Sequence, residues 1–127
     1  MIELMLPFPP TELSPNSRLH WAKLAKAKKT YRQACWAVTL DQLKIRTDAV
    51  PDGPLRLTLE FVKPTMREMD RDNLLARMKS GLDGMCDALK IDDKRFNTVV
   101  VRVASDRIGG FVTILIERES NGNQEGL

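Results

Sequence analysis

Residues 55–104 read LRLTLEFVKPTMREMDRDNLLARMKSGLDGMCDALKIDDKRFNTVVVRVA, and the fold turns on this stretch. From Leu55 to Val62 apolar and polar side chains alternate: Leu55, Leu57, Leu59 and Phe61 share one face, Arg56, Thr58 and Glu60 the other. That period of two predicts a strand with one wet face. After Pro64 the period changes. Leu75, Met78, Leu82, Met85, Cys86 and Leu89 recur at steps of three and four, which predicts a helix over about residues 70–89. Asp92 and Asp93 fall in the turn that follows, and the valine-rich run at 97–104 predicts another strand.

Upstream, Ile2, Leu4 and Leu6 fall on one side of an alternating run until Pro7, Pro9 and Pro10 end a short first strand. The loop TELSPNS leads to Ser17, the expected cap of a long helix over 18–46. At 100° per residue Leu24, Ala27, Tyr31, Ala34, Val38 and Ile45 share one sector, and Arg18, Lys26, Lys29 and Arg32 lie opposite, within an arc of roughly 120°. Downstream, 111–117 predicts a fourth strand, with SDRIGG before it reading as a hairpin turn. The expected architecture is α+β: one domain over 1–118, a mixed sheet of about four strands with two main helices in the order β-α-β-α-β-β. The polar end, 119–127, is expected to be a disordered tail.

Composition excludes several classes. A hydrophobic fraction of 43% in 127 residues supports a real core, and charged residues make up 29%. The longest apolar runs fall far short of the ~18 residues of a membrane helix, and MIELMLPFPP lacks the basic and apolar regions of a signal peptide, so a cytoplasmic protein is expected. Cys35 and Cys86, 51 positions apart, form no CxxC motif and read as buried hydrophobes. A single histidine, His20, argues against a structural zinc site and a His-based triad.

The net charge of +3 hides an uneven distribution. Residues 17–46 carry eight basic side chains against one acid, a local +7 that leaves the remainder at −4. Arg18, Lys23, Lys26, Lys28, Lys29 and Arg32, with no acid among them, are expected to meet DNA phosphates in a salt-sensitive way, joined by Arg67 and Arg71. Trp36 is in phase with Arg18 and Lys29, suited to stacking on an exposed base or to a dimer interface. His20 and Trp21 read as a packed helix start or as part of a DNA path.

Asp70 and Asp72 open the second helix in MDRDNLL. Acids there complement the helix dipole and cap free N–H groups, worth about 0.3–1 kcal/mol each, and Asp92 with Asp93 suits a polar turn. The same carboxylates, brought together, are ligands for a hard divalent cation, Mg²⁺ or Mn²⁺, beside a cationic face for phosphates. Asp72, Ala76, Lys79 and Asp83 fall on one stripe, with Lys79 ~10 Å beyond Asp72 along the axis. Lys79 is placed either to stabilise phosphate charge or to pair with Asp83. Asn73 reads as a helix-start hydrogen-bonding residue, and Gly81 and Gly84 as sites of close backbone packing.

The opening LPFPPTELSPNSRLHW, the block MDRDNLLARMKSGLDGMCDAL and the following IDDKRF resemble the RusA-type Holliday junction resolvases, many of them phage or prophage encoded, over roughly residues 4–117. The resemblance implies a small homodimer that uses Mg²⁺ or Mn²⁺ to cut a four-way DNA junction symmetrically in recombination and repair. It assigns metal binding to Asp70, Asp72 and Asp93, with Asp92 as a weaker ligand. In the best-known members a catalytic lysine follows the second motif aspartate by four residues; here that position is Ala76, and Lys79, on the same stripe, is the expected replacement. Arg77 faces about 140° away from Asp72 and is the poorer substitute. The alternatives are a non-catalytic junction-binding protein and, with no phosphate-cradling glycine loop to support it, a metal-dependent nucleotide phosphohydrolase.

Overall fold

All four alternating segments form strands. A computed structural model of the chain describes residues 1–46 and 48–120; of the expected tail, 121–127 lies outside the described residues. The elements are β1 (Ile2–Pro7), α1 (Trp21–Leu43), β2 (Leu55–Val62), α2 (Arg71–Leu89), β3 (Phe96–Ala104) and β4 (Phe111–Arg118), with single 3₁₀ turns at Thr11–Leu13 and Asp93–Arg95. The chain is an α+β domain with one mixed sheet of strand order β1-β4-β2-β3.

β2 and β3 pair in parallel, Leu57 opposite Val99 and Phe61 opposite Val103. Parallel neighbours require a crossover, and α2 is that crossover. β4 lies between β1 and β2, antiparallel to both, so that Ile116 stands between Ile2 and Leu57. The segment SDRIGG is therefore not a hairpin turn, because β2 already occupies the place between β3 and β4. The chain instead steps over the end of β2, where Gly109 and Gly110 N–H groups donate to the carbonyls of Lys63 and Val62 at 2.8 Å each. Gly110 adopts φ 79°, a left-handed conformation that its missing Cβ permits.

The register aligns every inward residue of the three paired strands. Ile2, Leu4 and Leu6, then Ile116, Ile114 and Val112, then Leu57, Leu59 and Phe61 are all buried on one face. Each such side chain contributes about 1.5–3 kcal/mol by leaving water. Tyr31 and Cys35 of α1 and Leu74, Met78 and Met85 of α2 complete this core. α1 packs on α2 and β1, while α2 packs on α1 and reaches β3.

Both helices differ in detail from the sequence expectation. α1 begins at Trp21, capped by His20, whose Nδ1 accepts from the Ala22 N–H at 3.2 Å. Ser17 is engaged elsewhere, accepting from the Leu19 N–H. The helix ends at Leu43, so Ile45 falls outside it and is 88% exposed. In α2 the fully buried stripe is Leu74, Met78, Gly81, Met85 and Ala88, leaving Leu75, Leu82 and Leu89 half-buried. The helix is wedged between the sheet and α1 and buries the sector facing both. Gly84 makes the wedge possible: a Cβ there would lie 2.1 Å from the Arg32 carbonyl oxygen. No helix among the described residues is long and apolar enough to cross a membrane.

Candidate active site

The candidate residues sit mainly along the outer side of α2 and on α1. Asp70 is the N-cap of α2: its Oδ1 accepts from the Asp72 N–H at 2.9 Å, which leaves Oδ2 free. Asp70, Arg71 and Asp72 are all exposed and line an open cavity of about 770 Å³ with Glu68 and Lys63. The structure thus brings together the two acids of the MDRDN motif. It also adds Lys63, a buried residue directly after β2 that the sequence reading passed over. Its only sequence signal was position, a cation closing a strand one residue before Pro64.

Lys79 stands where three cavities meet. It shares one with Asp72, Leu75 and Ala76, a second with Asp83, Asp93 and Val99, and a third with Lys28 and Ser80. Its side chain forms no ion pair among the described residues, so the pairing with Asp83 is not made. Arg77 is placed as the helical phase requires. It is buried, donates to the carbonyls of Pro9 (2.6 Å) and Pro10 (3.3 Å), and covers the Phe8 ring. It is a strap for the proline loop, not a substitute for Lys79. Asn73 also serves the loop, its Oδ1 accepting from the Ser14 hydroxyl at 3.2 Å.

Asp93 opens the second 3₁₀ turn and lines the cavity with Lys79 and Asp83, not the one with Asp70 and Asp72. α2 runs against β3, with Asp70 and Asp72 near Val103 and Ser105, and Leu82 and Asp83 near Phe96. The helical rise puts Asp72 and Asp83 ~16 Å apart along the axis. Within one chain the three expected ligands do not converge, and among the described residues no group of three His, Cys, Asp or Glu side chains is spaced to hold a metal ion. Asp92 caps the turn, accepting from the Lys94 N–H at 2.9 Å, and that bond, with the adjacent Asp93, holds its carboxyl below the usual range.

The cations of α1 divide around the helix, and Arg18, expected on it, lies in the loop before Trp21. Arg18, Lys23, Lys26, Lys28 and Lys29 are exposed. Lys23 and Lys26 border a groove against Phe8 and Tyr31, whereas Lys28 turns toward α2. Arg32 is tied to Asp87 of α2 at 2.7 Å, with both side chains half exposed. That exposed bridge is screened by solvent and adds little to stability, but it occupies a cation expected at DNA. Arg67 and Arg71 are exposed around the acidic motif. Trp21 is 76% exposed, with its ring against His20, so the helix start is not packed in; Trp36 is also exposed.

These features define a two-layer α+β protein with a carboxylate pair at a helix start and a cationic helix beside it. No family model matches the chain. A protein of Xylella fastidiosa (strain Temecula1 / ATCC 700964), described only as an uncharacterized protein, is 37% identical over 126 residues, covering 96% of this chain and 82% of the relative. The chain belongs to the same family as that Xylella protein.

Proposed function

We propose that the protein is a metal-dependent endodeoxyribonuclease that cuts branched DNA, with a four-way junction as its substrate and RusA-type resolvases as its nearest functional analogy. The observation that carries this reading is the exposed pair Asp70 and Asp72, with Lys79, free of any ion pair among the described residues, on the helical stripe of Asp72. The donor set fits Mg²⁺ or Mn²⁺, which is commonly held by one or two carboxylates with water and substrate oxygens completing the shell. Such an ion supplies water activation and charge neutralisation at a phosphoryl oxygen.

The chain's own groups supply the rest. Asp70, whose Oδ1 alone is used in capping, and Asp72 would hold such an ion. Lys79 offers its ammonium to the charge that grows on the phosphoryl oxygens. Arg18, Lys23, Lys26, Lys28 and Lys29 hold the flanking phosphates, and the Arg77 strap keeps the proline loop in place beside them.

A homodimer completes the reading. The half-buried Leu75 and Leu82 and the 44% exposed Val99 form a partly covered apolar strip at the edge strand β3. A twofold axis across that strip exchanges its two ends, so the Asp93 of each copy approaches the other's Asp70 and Asp72. Two opposed cuts in a junction suit that symmetry.

Cleavage of a synthetic four-way junction with and without Mg²⁺, beside Asp72→Asn and Lys79→Ala, tests the proposal. Metal-dependent paired cuts lost in Asp72→Asn are expected, with binding retained. Ala76 at the family's lysine position and the distance of Asp93 favour a second reading, a junction-binding protein without catalysis; tight binding with no cleavage at any metal concentration, unaffected by Lys79→Ala, would establish it.

A further inference from the structure

Between α1, α2 and the loop at 13–17 lies a cavity of about 340 Å³. Lys28 from α1 and Lys79 from α2 both line it, and neither is neutralised by an ion pair among the described residues. Ser80 lines it too, with a buried Oγ that has no hydrogen-bond partner among them. This Oγ is closed off from solvent, so a ligand oxygen meets it only once the hydroxyl turns about its Cα–Cβ bond toward the cavity, a rotation that would give the unsatisfied group its partner. Ser17, at the rim, accepts from the Leu19 N–H through its Oγ and keeps its own proton to donate. Asp83 is the one acid in the wall, and Leu13 and Leu24 make part of it apolar. Apolar walls lower the local dielectric and strengthen the pull of the two ammonium groups.

Two ammonium groups and two hydroxyl donors around a small space match a tetrahedral oxyanion. We infer that this cavity is a phosphate site that takes a nucleic-acid phosphodiester through its non-bridging oxygens. The DNA source rests on the nuclease reading, since free phosphate offers the same chemistry. Lys79 belongs both to this cavity and to the one with Asp72, so the bound phosphate is a near neighbour of the one to be cut. The site thereby sets the register of the strand across Asp70 and Asp72.

The test is made in EDTA, so that cleavage plays no part. Inorganic phosphate is titrated into the protein while the Ser80 amide and Lys79 side-chain resonances are followed, and junction DNA is then added. Saturable shifts are expected, weakened at least fivefold in Lys28→Gln and in Ser80→Ala. Lys44→Gln, a cation paired with Asp41 at the far end of α1, is expected to leave them unchanged. Junction DNA should displace the phosphate, and the slope of log K for DNA against log salt should fall by about one in Lys28→Gln. Absence of phosphate shifts, or wild-type phosphate binding by Ser80→Ala, overturns the site. Simultaneous binding of phosphate and DNA overturns its assignment to the DNA strand. An enzyme that cuts junctions but shows no phosphate shifts refutes this site alone, whereas phosphate binding displaced by DNA in a protein that never cuts refutes the nuclease reading alone.

Discussion

Gly84→Ala sets two physical effects of opposite sign against each other. In the middle of an exposed helix the exchange stabilises by about 1 kcal/mol, because glycine loses more backbone freedom on folding than alanine. Here the added Cβ would meet the Arg32 carbonyl oxygen at 2.1 Å and the Trp36 backbone nitrogen at 3.2 Å. Backbone of a long helix cannot turn aside as a side-chain end can, so α1 and α2 must part by roughly an ångström along their interface. A gap of 0.5–1 Å forfeits about a quarter to a half of each dispersion contact, and overpacking of this kind costs about 1–3 kcal/mol. Because the clash is with backbone and several pairs along the interface are affected, the cost falls at the upper end of that range, about 3 kcal/mol, and after the gain of about 1 kcal/mol a net loss of about 2 kcal/mol is expected. For a chain of this length that is a fall in Tm of roughly 6–12 °C. Thermal unfolding followed by circular dichroism, with urea denaturation as a check, measures it. A variant as stable as the parent, or more stable, refutes the helix–helix packing described here.

Further outcomes follow from individual side chains. Asp70→Asn should melt within a few tenths of a kcal/mol of the parent, because asparagine caps as well as aspartate, yet lose Mg²⁺-dependent cleavage; a large drop in Tm would make the residue a structural cap alone. Arg77→Lys should cost about 2–4 kcal/mol and open the 7–20 loop to limited proteolysis, since an ammonium cannot reproduce the forked bonds to Pro9 and Pro10; unchanged proteolysis counts against the strap. Burial pushes the Cys35 thiol up to about 11 and the Cys86 thiol up to about 12. The native state therefore keeps both protons where unfolded thiols lose theirs from about pH 8.5, so this stability is intact below that pH and declines as pH rises toward 11–12. Urea midpoints at pH 7.5 and 10 should show the decline in the parent and a smaller one in a Cys35→Ala, Cys86→Ala variant; equal declines refute it. Trp21→Ala, at an exposed site, should change stability by less than about 0.5 kcal/mol.

Much of the fold was legible because its signals are local. Alternation in Ile2–Leu6 and Leu55–Phe61 reports which side of a pleat each residue occupies, whatever strand lies next to it. The same holds for α2 and for its capping by Asp70, a choice made within one turn of backbone. The hairpin expected at SDRIGG fails for the complementary reason: turn-rich composition says that the chain bends, not which strand it bends toward. Likewise Leu75 and Leu82 carry the right period, but how far each is covered depends on where α1 lies.

The candidate site divides along the same line. Asp70 and Asp72 are neighbours in sequence and in space, so their pairing was readable, as was the position of Lys79 two turns on. The sequence by itself determined the strand faces, the helix order, the acidic helix start and the basic bias of α1. Only the tertiary structure decided that β4 lies between β1 and β2, that Lys63 joins the acids, that Lys28 and Lys79 share a cavity, and that Asp93 stands with Lys79 and apart from Asp70 and Asp72. Those choices depend on contacts between residues far apart in the chain, and no local periodicity encodes which of several apolar faces will meet.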